Sequence, residues 1–227
     1  MYSKTIPRIS TNTSLLNYSK KNSDPIMLEA IFQELEAEFA NHVHIYTDGS
    51  KTRIGSGYAI VRNQSTEKVK FHHKTPIFLC ELQAITHAIK STLTDQNTNF
   101  AIFCDSTSAI SAIQKLWTSD FVIQECQEAY TRSSQKNNSI TIMWILSHID
   151  ITGNDKADRA AKEAANSTTP NHHDNSTHAE TLLSTLKEKI KDCWNKEWNS
   201  LTKSRTKSIK TTFMENLLPR NYLDQTK

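Results

Sequence analysis

Residues 140–146 read ITIMWIL, and after six further positions residues 153–166 read GNDKADRAAKEAAN. The first stretch is short, unbroken and apolar, the pattern of a strand buried on both faces. The second sets Ala157, Ala160, Ala161, Ala164 and Ala165 along one stripe of a helix, a surface that permits close packing. FAIFCD (100–105) is a second apolar strand of the same kind. Before it, residues 77–93 place Leu82, Ile85, Ala88, Ile89 and Leu93 on one helical side. After it, Ser106 is a candidate N-cap for a helix that turns Ala109, Ile110, Ile113 and Leu116 inward. A third short helix is predicted over 121–132. Further upstream, VHIYTD (43–48) alternates and stops at Asp-Gly, as a strand followed by a turn does. GYAIVRN (57–63) and KVKFHHK (68–74) flank a polar turn, NQSTE, and complete an antiparallel meander. The order βββ-α-β-α-(α)-β-α implies an α/β fold: a mixed sheet with helices on its faces.

All four glycines fall between residues 43 and 166, which places the specified fold there. Residues 1–41 are expected to be a connector: a polar, patternless run to Pro25, then an amphipathic helix carrying Leu28, Ile31, Phe32, Leu35 and Phe39. The domain proper is assigned to 42–166 and a polar linker to 167–178. Residues 179–227 are assigned to an amphipathic helix, with Leu183, Leu186, Ile190 and Trp194 at helical spacing, and a basic tail. Apolar residues make up only 37% of the chain, so part of it is expected to lie outside a packed core.

No apolar run is long enough for a transmembrane helix, and the first residues do not read as a secretory signal. An intracellular location follows as the expectation, and the six N-x-[ST] sites reflect richness in Asn, Ser and Thr. Cys80, Cys104, Cys126 and Cys193 are far apart without metal-ligand spacing and are expected to be buried free thiols. His72 and His73, adjacent on a predicted strand, should face opposite ways. With His172, His173 and His178 of the linker, they read as solvated polar residues. Residues 43–166 carry a net charge of +1, whereas 202–227 hold 6 basic and 2 acidic groups. Overall charge therefore does not demand a polynucleotide partner, and any such site in the domain must rest on local geometry. The tail is either a source of phosphate attraction or a solvated end.

Four acids occupy positions that packing does not explain. Asp48 and Asp105 end strands, where open α/β sheets place ligands. Glu81 interrupts the apolar run IFLC-E-L near a helix start, and Asp158 lies in the first turns of the last helix. Singly, each has an ordinary reading as turn former, solvated side chain or dipole partner. As a set, separated by 33, 24 and 53 residues, they can meet only through a fold. Clustered carboxylates repel unless a cation neutralises them, and all-oxygen ligation selects Mg²⁺ or Mn²⁺. Two such ions suit phosphodiester hydrolysis.

DGS at 48–50, ELQAI at 81–85, CDS at 104–106 and WILSHIDITGNDKADRAAKEA at 144–164 together resemble type 1 ribonuclease H. The last block is most similar to the ribonuclease H domain of arthropod non-LTR retrotransposon polyproteins. The resemblance implies a ribonuclease H-like sheet of five strands, three antiparallel then two parallel, and cleavage of the RNA strand of RNA–DNA hybrids, leaving 3′-hydroxyl and 5′-phosphate ends. It implies two Mg²⁺ ions on Asp48, Glu81, Asp105 and Asp158, and assigns His148 to proton transfer or product release. Nucleic-acid contacts are expected from Gly49, Ser50, Lys51, Thr75, Ser106 and Asn154. The flanks resemble those around a reverse transcriptase, a partner whose F/Y-x-D-D signature this chain lacks. Relatives often carry polar residues where this chain has Ile77 and Phe78, and a basic, Trp-rich segment that 117–139 lacks, so weak, salt-sensitive hybrid binding is expected. Ile149-Asp150-Ile151-Thr152 departs from the family's glycine-containing loop. That departure leaves a second reading, a non-catalytic nucleic-acid-binding remnant. A transposase or integrase of the same general fold would lack the G-N-x-x-A-D block.

Overall fold

The structure, a computed structural model, describes residues 8–18, 23–147, 149, 151–168 and 179–200. Its strands are β1 (Ser10–Asn12), β2 (Val43–Lys51), β3 (Ser56–Arg62), β4 (Ser65–Phe71), β5 (Asn99–Cys104) and β6 (Ser139–Trp144). Its helices are α1 (Pro25–Glu38), α2 (Ile77–Ser91), α3 (Thr107–Ile113), α4 (Phe121–Ser134), α5 (Thr152–Asn166) and α6 (Ala179–Ser200). The sheet runs β1-β6-β5-β2-β3-β4. β2, β3 and β4 pair antiparallel, and β2, β5, β6 and β1 pair parallel.

Alternation along the central strands divides the core. On one side Ile45, Phe100, Ile102 and Ile142 pack with Leu82, Ile85 and Ile89 of α2 and Cys126 of α4. On the other, Tyr46, Ala101, Phe103 and Met143 pack with Leu28, Phe32 and Leu35 of α1 and Ala157 of α5. This two-sided burial is why FAIFC and ITIMW read as continuous apolar runs. The alanine stripe does what its small side chains allow: Ala160 and Ala161 rest on Ala59 of β3. Side-chain caps fix several helix starts. Asp24 accepts from the Ile26 N–H ahead of Pro25, Ser106 from Ala109 and Asp120 from Val122.

The structure adds to and corrects the sequence reading at several points. The sheet has six strands, not five. β1 comes from the run read as patternless and pairs Ser10–Asn12 with Thr141–Met143. Its anchors, Ile9 and Leu15, are too few to leave a periodic signal, although both are buried. The β3–β4 turn is shorter than NQSTE, because Asn63 adopts a left-handed φ of 55° that Asn tolerates and the chain re-enters the sheet at Ser65. β4 ends at Phe71, so His72 and His73 lie beyond it. Their rings sit 4.2 Å apart instead of facing opposite ways. Leu116 follows the end of α3 and is exposed. Cys80, Cys104 and Cys126 are buried free thiols, whereas Cys193 is exposed.

The chain divides between Thr181 and Leu182 into two units, the first holding the sheet. The described part of the second unit is α6 from Leu182 onward. It stacks Trp194 on Trp198 at 5.5 Å and exposes Leu186 and Ile190. The linker residues 169–178 and the basic tail from 201 onward lie outside the described residues. No described helix is long and apolar enough to cross a membrane.

Candidate active site

Parallel pairing between β2 and β5 reaches Tyr46↔Phe103 and stops. Beyond that pair the two strands offer Asp48 and Asp105 side by side. Asp48 does not end its strand, as the sequence suggested: β2 continues to Lys51, pairing antiparallel with β3, and Asp48 lies opposite Ala59. Asp105 follows the last residue of β5, and the Trp144 indole N–H donates to its backbone carbonyl at 3.0 Å. Thr47 pins the strands together by donating its hydroxyl to the Phe103 carbonyl at 3.1 Å.

Glu81 arrives from α2. The first turns of that helix press on β2 so closely that a Cβ at Gly49 would lie 2.9 Å from the Glu81 nitrogen. Glycine after Asp48 is therefore what lets Glu81 reach the strand. Carboxylate oxygens of Asp48, Glu81 and Asp105 all lie within 4.8 Å of one another. Asp158 comes from α5 and, with Asp48, Asp105 and Asn154, lines a cavity of about 500 Å³ at the end of the sheet. Gly49, Ser50, Lys51, Ile77, Ser147 and Lys162 complete its lining.

The electrostatics follow from burial and crowding. Burial first, then the Asp105 and Asp158 charges, push the Asp48 carboxyl up to about 8, opposed by Lys162 and the Gly49 N–H. Burial and the neighbouring Asp48 and Asp105 raise Glu81 well above the ordinary carboxylate range. The Asp48 Oδ2, Glu81 Oε2 and Asn154 Oδ1 are buried acceptors without a hydrogen-bond partner among the described residues. Buried acceptors ordinarily have one. Three crowded carboxylates, two of them with an unsatisfied buried oxygen, form a hard, anionic donor set, which fits a divalent cation.

Of the residues singled out in the sequence, Asp48, Glu81 and Asp105 are brought together, and Asp158, Asn154, Gly49, Ser50 and Lys51 share the cavity. Ser106 caps α3, accepting from the Ala109 N–H at 3.3 Å. Thr75 does not line the cavity: it is 3% exposed, and its carbonyl accepts from the Ser56 hydroxyl. His148 and Asp150 lie outside the described residues. Ile149 and Ile151 beside them are buried in the core that holds Tyr46 and Phe103. Sequence reasoning missed Ser147 and Lys162. Lys162 left a signal, since it stands one helical turn after Asp158.

A mixed sheet with a carboxylate-lined cavity where two parallel strands part is an arrangement able to hold a divalent cation. The RNase H family model matches residues 40–166, more than half of the chain, and the chain belongs to that family. RNase H domains bind nucleic acid, act on RNA–DNA hybrids and use divalent metals, for which the acidic triad is in place. No curated protein matches the chain.

Proposed function

We propose that the chain hydrolyses the RNA strand of RNA–DNA hybrids, leaving 3′-hydroxyl and 5′-phosphate ends, at a site where Asp48, Glu81, Asp105 and Asp158 hold two Mg²⁺ or Mn²⁺ ions. The convergence of Asp48, Glu81 and Asp105 within 4.8 Å, in a domain of this family, carries the reading. When bound, the ions supply an acidified water and neutralise charge developing on the phosphate.

The protein's own part is positioning. Asp48 on β2, Asp105 just past the end of the neighbouring β5, Glu81 on α2 and Asp158 on α5 would together hold the ions. The Trp144–Asp105 hydrogen bond and the Gly49 contact hold two of these acids on rigid elements, which suits a preorganised site. Asn154 and the backbone of Gly49–Lys51 face the cavity where a ribose 2′-hydroxyl must be sensed if only RNA is cut. His148, ten residues before Asp158, is assigned proton transfer or product release. Ile149 and Ile151 are buried in the core, and the absence of the family's glycine between His148 and Thr152 is expected to slow turnover. The block at 144–164 supports an origin in an arthropod non-LTR retrotransposon polyprotein, with a reverse transcriptase as the partner domain.

The test is cleavage of an end-labelled RNA–DNA hybrid with Mg²⁺, with EDTA, and by Asp48→Asn. Metal-dependent products with 3′-hydroxyl ends, absent from the variant, support the reading. Equal signal from both proteins defeats it, and hybrid binding without cleavage establishes the non-catalytic remnant.

A further inference from the structure

Lys162 Nζ lies 2.6 Å from Asp158 Oδ2, one turn further along α5. Charged pairs at this spacing usually lie on the solvent face of a helix. This pair is also partly exposed, but both of its residues line the carboxylate cavity together with Asp48 and Asp105. The ammonium is near enough to Asp48 to favour its charged form. Lys162 and Lys51 are the cationic side chains among the cavity-lining residues. The Lys162 side chain is 54% exposed against 26% for Asp158, so it reaches in from the mouth on a flexible stem while the carboxylate stays recessed.

We propose that Lys162 is a tethered counter-cation with two stations. Without a divalent ion it occupies the Asp158 carboxylate. When an ion takes that carboxylate, the ammonium turns to a non-bridging oxygen of the substrate phosphate at the cavity mouth. The second station rests on the function proposed above; the first does not. The reasoning is one of charge. A polyanionic backbone must approach four carboxylates, and a lysine displaced from one of them becomes available for phosphate as the ion arrives. Lysine suits the role, because its point charge serves either oxygen ligand without fixed geometry.

The full-length protein with Lys162→Met and Lys162→Arg tests both stations. Mn²⁺ binding is measured by calorimetry without nucleic acid, and kcat and KM on the hybrid at saturating Mg²⁺. Losing the competitor should tighten Mn²⁺ binding by about 2- to 5-fold in Lys162→Met, the equivalent of one partly exposed ion pair. KM should rise about tenfold with kcat little changed, as expected when a charged contact made equally in ground and transition state is lost. Lys162→Arg should restore KM. Unchanged Mn²⁺ affinity in Lys162→Met overturns the first station, and unchanged KM overturns the second. Should Lys162→Met fold poorly by circular dichroism, Lys162→Gln takes its place. The Mn²⁺ measurement stands even if the wild-type chain cuts no hybrid, so failure of the functional reading and failure of this one are separable.

Discussion

Gly153 packs against the ring of Tyr46 so tightly that a Cβ on it would lie 2.2 Å from Tyr46 Cε2. Tyr46 is held in place: it stacks on Phe103 at 4.7 Å and donates its hydroxyl to Glu36 of α1 at 2.8 Å. The first turn of α5 therefore rests on a fixed aromatic surface two residues before Asp48, and α5 is the element that carries Asn154 and Asp158 to the cavity.

Gly153→Ala should accordingly damage both stability and site. Overpacking of this kind costs about 1–3 kcal/mol, or roughly 2–12 °C in Tm for a chain of this size. Hybrid cleavage should fall further than the loss of folded protein explains, since Asp158 moves with the helix. Adding Tyr46→Leu should recover part of the Tm. Thermal melts of the single and double variants check this, and an unshifted Tm in Gly153→Ala would refute the contact.

On the proposed function, replacing any of the four acids by its amide would remove a metal ligand while keeping shape. Asp48→Asn, Glu81→Gln, Asp105→Asn and Asp158→Asn should each lower kcat by at least about 10²-fold, the scale of losing one group that stabilises transition-state charge. For Asp48→Asn and Glu81→Gln, the metal-free protein should melt no lower than the wild type, because the buried charge is relieved. Steady-state kinetics and melts in EDTA are the measurements. An amide variant of Asp48 that retains full activity is the adverse result.

Asp48 also predicts how stability varies with pH. Its folded value of about 8 lies above its ordinary 3.8. Between these values the folded state retains a proton that the unfolded chain has released. Stability is therefore greatest below about pH 4, falls as pH rises, and bears the full penalty above about 8. In EDTA the wild-type Tm should decline from pH 5 to 8.5, and Asp48→Asn should flatten the decline. Mn²⁺ should raise Tm more at pH 8 than at pH 6, because binding displaces the proton. Scanning calorimetry across this range decides it, with parallel slopes for the two proteins counting against the assignment.

The family match begins at residue 40, beyond α1. Yet Leu28, Phe32 and Leu35 of α1 are 2%, 4% and 8% exposed, and Phe32 meets Phe103 edge-on at 5.9 Å. Burial of three such side chains contributes roughly 5–9 kcal/mol as an upper bound, comparable to the net stability of a domain. A chain beginning at residue 40 should lose most of its cooperative melt or aggregate. Retention of the full-length Tm would show α1 to be dispensable.

Much of the fold is legible locally. The apolar runs at 100–104 and 140–144 announce buried strands because both faces of each are covered, and the alanine stripe announces a tightly packed helix. Ser106 reads as a cap because a cap needs only its own next turn. Other features escape because their causes are distant. β1 exists through three backbone pairs with Thr141–Met143 and two apolar anchors, which composition hardly registers. Leu116 looks inward by periodicity, but α3 ends at Ile113, before the period can apply.

For the site, sequence alone determined the inventory: acids at element ends, glycines after Asp48 and before Asp158, and the blocks that carry the family resemblance. Tertiary structure decided which of these residues meet. Asp48 and Asp105 become neighbours because parallel pairing ends two residues before them, in register, and Glu81 joins because Gly49 has no side chain to keep α2 away. Thr75, equally plausible by position, is buried, and its backbone carbonyl accepts from the Ser56 hydroxyl. Lys162 faces the carboxylates because α5 is seated on Tyr46. Local chemistry is written residue by residue, whereas proximity between residues dozens of positions apart is set by register, helix seating and the volume each side chain leaves free.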